Sequence, residues 1–181
     1  LGPQDIVIVA VKGPALAGVA AGIAPLLGPD TAVVTAMNGL PWWFFDGFPA
    51  DGLRIDIPEL DPGGAVSAAI ATDRVIGCVV HMGAAMPAPG TVRHMGGGLL
   101  ILGEAAGPVS DRVRALSDLF APTPLDVRLT DELRREIWLK LLGNFNFGPI
   151  SALTGATNGR IGADPDLRRL ANVMFDEAVE A

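Results

Sequence analysis

Asp5-Ile6-Val7-Ile8-Val9-Ala10-Val11-Lys12 is an unbroken run of mostly β-branched residues that ends in a cation. Its lack of polar alternation predicts a strand buried on both faces of a parallel sheet. Leu16, Val19, Ala20, Ile23 and Leu27 then recur at helical spacing, Gly28-Pro29-Asp30 stops the helix, and Thr31–Ala36 reads as a second strand. Strand, crossover helix and strand make a βαβ unit, which places the chain in the α/β class. Lys12 and Met37-Asn38-Gly39 fall at the carboxyl ends of the two strands, the edge where open α/β sheets hold ligands. An ordinary solvated lysine and an ordinary Asn-Gly turn are the competing readings.

Farther out, Asp61-Pro62-Gly63-Gly64 opens a short helix to Ile70, and Arg74–Met82 reads as another buried strand. Thr91–Met95 and Leu99–Leu102, separated by three glycines, predict an antiparallel hairpin; the glycines lack the strand-to-helix setting of a phosphate loop. Ser110 caps an amphipathic helix to Phe120, and Leu125–Leu129 is a last strand. From Thr130 onward the pattern is helical only, with a polar loop expected at Asn158-Gly159-Arg160 and a final helix from Asp166. The expectation is a partial Rossmann-like, doubly wound α/β domain over 1–130, then the start of an all-α domain over 131–181.

A net charge of −7 without a basic stripe argues against nucleic acid. Apolar runs are all too short to span a bilayer, and no signal-peptide pattern opens the chain. Cys78 is the only cysteine, which points to a reduced, cytoplasmic setting. Cys78, His81 and His94 match no zinc spacing, so no metal is expected. Trp42-Trp43-Phe44-Phe45 reads as a surface packed on another domain or a second subunit, which leaves a homodimer open; a wall of a ligand cleft is the alternative.

Chemistry concentrates in Glu136-Ile-Trp-Leu-Lys140-Leu-Leu-Gly-Asn144-Phe-Asn-Phe-Gly148-Pro149. At helical period Lys140 and Asn144 project side by side, joining an ammonium to an amide able to hold and polarise an oxygenated small molecule. Pro149 is expected to close this helix. The bland alternative is a solvated Glu136–Lys140 ion pair of about 0.2 to 0.5 kcal/mol.

The order of Ile8-Val-Ala-Val-Lys12, Met37-Asn38-Gly39, Ile76–His81, Glu136–Asn144, Pro149-Ile-Ser-Ala-Leu-Thr and Asn158-Gly159 resembles the ketopantoate reductases, the NADPH-dependent 2-dehydropantoate 2-reductase family. That resemblance implies NADP as cofactor, a small 2-oxo acid as substrate, and Lys140 as the general acid. It implies that Asn144 and Asn158 bind substrate, that Asn38 lies between nicotinamide and substrate, that Lys12 meets the adenosine phosphate, and that Gly83 lets backbone approach the cofactor. It also implies that 131–181 opens a substrate-binding and dimerisation domain.

Two departures shape the expectation. Gly148 stands where the family commonly carries another substrate-binding asparagine, so a related 2-oxo acid with different polar groups is an alternative substrate. No Gly-x-Gly-x-x-Gly follows a strand, so the first dinucleotide-binding βαβ and the later helices are expected to lie outside these residues, and the 181 residues alone are expected to turn over nothing measurable. The rivals are another hydroxy-acid dehydrogenase of the same layout, and a non-catalytic, oligomerising ligand-binding module built on Trp42–Phe45.

Overall fold

The computed structural model describes residues 1–47, 55 and 57–180. Its strands are β1 (Gln4–Val9), β2 (Leu27–Ala36), β3 (Val75–Ala88), β4 (Thr91–Glu104) and β5 (Asp126–Leu129). The helices are α1 (Leu16–Ile23), α2 (Ala65–Ala69), α3 (Asp111–Phe120), α4 (Leu133–Thr154), α5 (Asn158–Ala163) and α6 (Pro165–Glu180). One sheet runs in the order β1-β2-β3-β4-β5, parallel from β1 to β3, antiparallel between β3 and β4, and parallel again to β5. The α/β class read from the sequence is what the chain adopts. By contacts it forms two compact units, Leu1–Ile137 and Trp138–Ala181.

In the first unit, alternate residues of the central strands serve opposite faces. Ala32, Val34, Ile76, Cys78, Leu100 and Leu102 receive Val113 and Leu116 of α3. Burial pushes the Cys78 thiol up to about 12, so it stays protonated and packs as a small hydrophobe. The other face is bare backbone where Gly77 of β3 pairs with Gly103 of β4. A Cβ on Gly77 would strike Leu133 and come within 3.0 Å of the Trp43 ring, and one on Gly103 would lie 2.6 Å from the Thr130 carbonyl. Trp43 is therefore 1% exposed, and Trp42 and Phe44 are buried with it. This corrects the interface reading of Trp42–Phe45: Trp42, Trp43 and Phe44 fill their own unit, so the possible homodimer draws no support from them.

Among the described residues β1 pairs with β2, and its Ile8 is 53% exposed. Two further corrections have physical causes. The hairpin is β3–β4, turned at Pro89-Gly90 with Gly90 at φ +76; Pro-Gly is the stronger turn signal. Gly96–Gly98 lie inside β4 at a bulge, where a Cβ on Gly97 would collide with the His81 carbonyl.

α3 is fixed by a polar cluster. Ser110 Oγ accepts from Val113 N and donates to Glu104, while Arg112 Nε and Nη2 donate to the two Glu104 oxygens at 2.8 and 2.5 Å. Burial pushes the Glu104 carboxyl up, but the hydrogen bonds from Arg112 and Ser110 and the Arg112 charge outweigh it and hold the group below its ordinary value.

A depressed folded pKa stabilises above the unfolded glutamate value of about 4.3 and is lost as pH falls through the folded one. Glu104→Gln is expected to cost about 1 to 3 kcal/mol at pH 7 and to flatten the acid limb of the stability–pH curve in denaturant titrations. Gly103→Ala is expected to destabilise by about 1 to 3 kcal/mol or more in the same assay, since a rigid carbonyl faces the new methyl.

Candidate functional site

Beyond Ala36–Cys78, the last pair of the β2–β3 ladder, the Asn38 amide takes over the next register position. Its Nδ2 donates to Val80 O at 3.0 Å and its Oδ1 accepts from Val80 N at 3.1 Å. The side chain thus replaces a backbone rung while Gly39, at φ +98, turns the chain out of the sheet. One N–H and one lone pair of the amide are left for other work. Lys12 is exposed just after β1, capping the turn at Gly13–Ala15, with Ala15 N donating to its carbonyl at 2.8 Å. Gly83 pairs with Gly96 in the hairpin, and a Cβ there would make only ordinary contacts at 3.6 Å, so the fold does not itself demand glycine.

In the second unit α4 carries the candidate residues. Pro149 does not close it: the helix continues to Thr154 and ends at Gly155, whose φ of +67 is the left-handed stop. Continuation buries Ile150 at 2% exposure against Ala156, Ile161 and Ala171, which offsets the hydrogen bond the proline lacks. The predicted polar loop at Asn158-Gly159-Arg160 is instead the start of α5, capped by Thr157 Oγ1 accepting from Arg160 N at 3.3 Å.

Along α4 the residues Lys140, Asn144, Gly148 and Ser151 follow at intervals of four, four and three, one face of the helix. Lys140 is half-buried. Asn144 and Gly148 of that face, with Phe147, Ser151 and Ala152, line an open cavity of about 470 Å³ whose opposite contributor is Asn158. The structure brings Asn144 and Asn158 together here; Lys12, Asn38 and Gly83 belong to the first unit. Asn146 is buried at 5% exposure and is not part of the lining. The Glu136 carboxylate is held by Arg128 Nη2 at 2.7 Å, so the ion pair it makes is with β5.

Ser151 is the lining residue that sequence reasoning missed. Helical spacing, three residues on from Gly148, pointed to it, but ending the helix at Pro149 removed it from the face.

Two other short polar side chains of this unit are spent locally: Thr154 Oγ1 donates to Ile150 O at 2.6 Å, and Asp164 Oδ1 accepts from Asp166 N and Leu167 N at 2.9 and 3.1 Å. Asn146 Oδ1 is buried without a partner among the described residues. Asn144, Ser151 and Asn158 have side chains bonded to no described residue. Two amides and a hydroxyl, each donor and acceptor, thus converge on one cavity.

The profile described as ketopantoate reductase PanE/ApbA matches residues 1–41, and that of its C-terminal region, ketopantoate reductase PanE/ApbA C terminal, matches 132–181. The chain belongs to the ketopantoate reductase family. A 2-dehydropantoate 2-reductase of Mesorhizobium japonicum is 46% identical over 180 residues, covering 98% of this chain and 55% of the relative. A crystal structure assigned to the ketopantoate reductases, from Ralstonia solanacearum MolK2, superposes with a TM-score of 0.91 at 49% identity over 98% of this chain and 55% of that one. The 2-dehydropantoate 2-reductase structure from Geobacter metallireducens GS-15 gives 0.82 at 28% identity over 99% of this chain and 53% of that one. The chain spans about half the length of these relatives. Among the described residues no helix is long and apolar enough to cross a membrane.

Asn38→Ala is expected to lower stability by about 1 to 2 kcal/mol through two lost backbone bonds, whereas Asn144→Ala should stay within about 0.5 kcal/mol. Chemical denaturation of the two variants separates the amide that holds the fold from the one kept for a ligand.

Proposed function

We propose that the full-length protein containing this chain reduces ketopantoate, or a close 2-oxo acid, to the 2-hydroxy acid with NADPH, on the route to pantothenate and coenzyme A. The observation that carries the reading is the cavity on α4, where Asn144 follows Lys140 on one helix face and meets Asn158 of α5, two amides bonded to no described residue, within a region matched to the family. In this reading 1–130 contributes to the NADP-binding domain and 131–181 opens the substrate-binding domain.

NADPH, when bound, would supply a hydride to the carbonyl carbon. The Lys140 ammonium gives its proton to the carbonyl oxygen, which takes up the π electrons. The amine left behind regains a proton from water. Asn144 and Asn158 hold the acid by amide hydrogen bonds. Charge appears on oxygen only as the reaction proceeds, so an ammonium at that atom stabilises the transition state more than the ground state.

For the cofactor, the donor chemistry of the sheet edge fits a phosphate: Lys12 is an exposed ammonium beyond a parallel strand. The absent side chain at Gly83, which the fold does not require, leaves backbone open to approach.

The test is NADPH oxidation by the full-length protein over a panel of 2-oxo acids. Lys140→Ala is expected to lower kcat/KM by about 10²- to 10⁴-fold, and Lys12→Ala to raise KM for NADPH while leaving that for NADH. A Lys140→Ala enzyme with an intact rate would sink the assignment.

A further inference from the structure

Resting on that reductase reading, we propose that Ser151 is a specificity-determining residue, its hydroxyl taking a hydrogen-bonding group at the far end of the 2-oxo acid in the space that Gly148 leaves open. Four observations converge. Ser151 lines the same cavity as Asn144 and Asn158. A Cβ built on Gly148 meets nothing within 4 Å, so no protein atom fills the position one turn before Ser151. Side chains on a helix lean toward its N-terminus, which tilts the Ser151 hydroxyl back over the turn that Gly148 leaves bare.

The fourth observation concerns how the hydroxyl is used. Serine inside a helix commonly turns back to bond its own backbone, as Thr154 does to Ile150 O at 2.6 Å. Ser151 Oγ makes no such bond to any described residue, although the side chain is half-buried. Of the lining downstream of Asn144 on α4, Phe147 and Ala152 offer only hydrocarbon, so Ser151 supplies the polar side chain there. From Asn144 to Ser151 is two helical turns, about 10 Å along the axis. An amide at one end and a hydroxyl at the other match a short acid with its carboxylate and keto oxygen at the first and a hydroxyl at the second.

The experiment compares ketopantoate with 3,3-dimethyl-2-oxobutanoate, which replaces the terminal hydroxymethyl by methyl, using the full-length protein with NADPH. The wild-type protein is expected to favour the hydroxylated acid in kcat/KM by about tenfold or more. Ser151→Ala should lose most of that preference, Ser151→Thr should keep it, and Gly148→Leu should lower kcat/KM for both acids by closing the space. A preference of the same size in wild type and Ser151→Ala, or no wild-type preference, overturns the role of Ser151 and leaves the reductase reading standing. Failure of the wild-type protein to reduce either acid overturns both. Thermal melts of each variant separate loss of fold from loss of recognition.

Discussion

Two glycines facing each other across β3 and β4 set the limits on what can be built against this side of the sheet. With no Cβ on Gly77 or Gly103, the backbone there is a smooth floor, and Trp43 and Leu133 descend onto it. Leu133 is the first residue of α4, so the helix begins in contact with strand backbone instead of riding on side chains. Arg134 Nη2 donates to the Asp46 carbonyl at 2.5 Å and Arg128 holds Glu136, so the first turn is tied at three points to the chain around it. Burying one indole removes roughly 150 to 250 Å² from water, worth several kcal/mol. That outweighs any single ion pair in the same region.

What the sequence disclosed depended on whether a local signal had a local cause. The β-branched runs of β2 and β3 and the Ser110 cap were legible because propensity and burial agree there. Pro149 was misread because its local cost was visible while its return was not. Ile150 packs against Ala156, Ile161 and Ala171, which lie up to twenty-one residues downstream. Gly96–Gly98 was misread for a related reason: three glycines look like a turn, yet one of them is required by the close approach of His81 backbone across the hairpin. The aromatic run posed the same difficulty, since an apolar segment discloses that it must be covered but not by what.

The candidate site divides along the same line. Spacing alone identified Lys140 and Asn144 as neighbours on one face, and a helix of continuous register carried that logic on to Gly148 and Ser151. Asn158 could not be joined to them from pattern, because it stands on α5 beyond the turn at Gly155. Asn38 shows the opposite case. Its amide is occupied by Val80 on both its donor and acceptor sides, so its presence has a structural explanation whatever ligand it also meets.

These 181 residues carry a net charge of −7, a contribution to the field that repels the anionic acid proposed as substrate. At physiological ionic strength that field fades over about 8 Å, and recognition passes to groups at contact distance. A cavity lined by neutral amides and a hydroxyl suits this condition: it offers hydrogen bonds without adding a second negative charge that would need its own partner. Charge distributed over the surface and neutrality inside the cavity are therefore compatible.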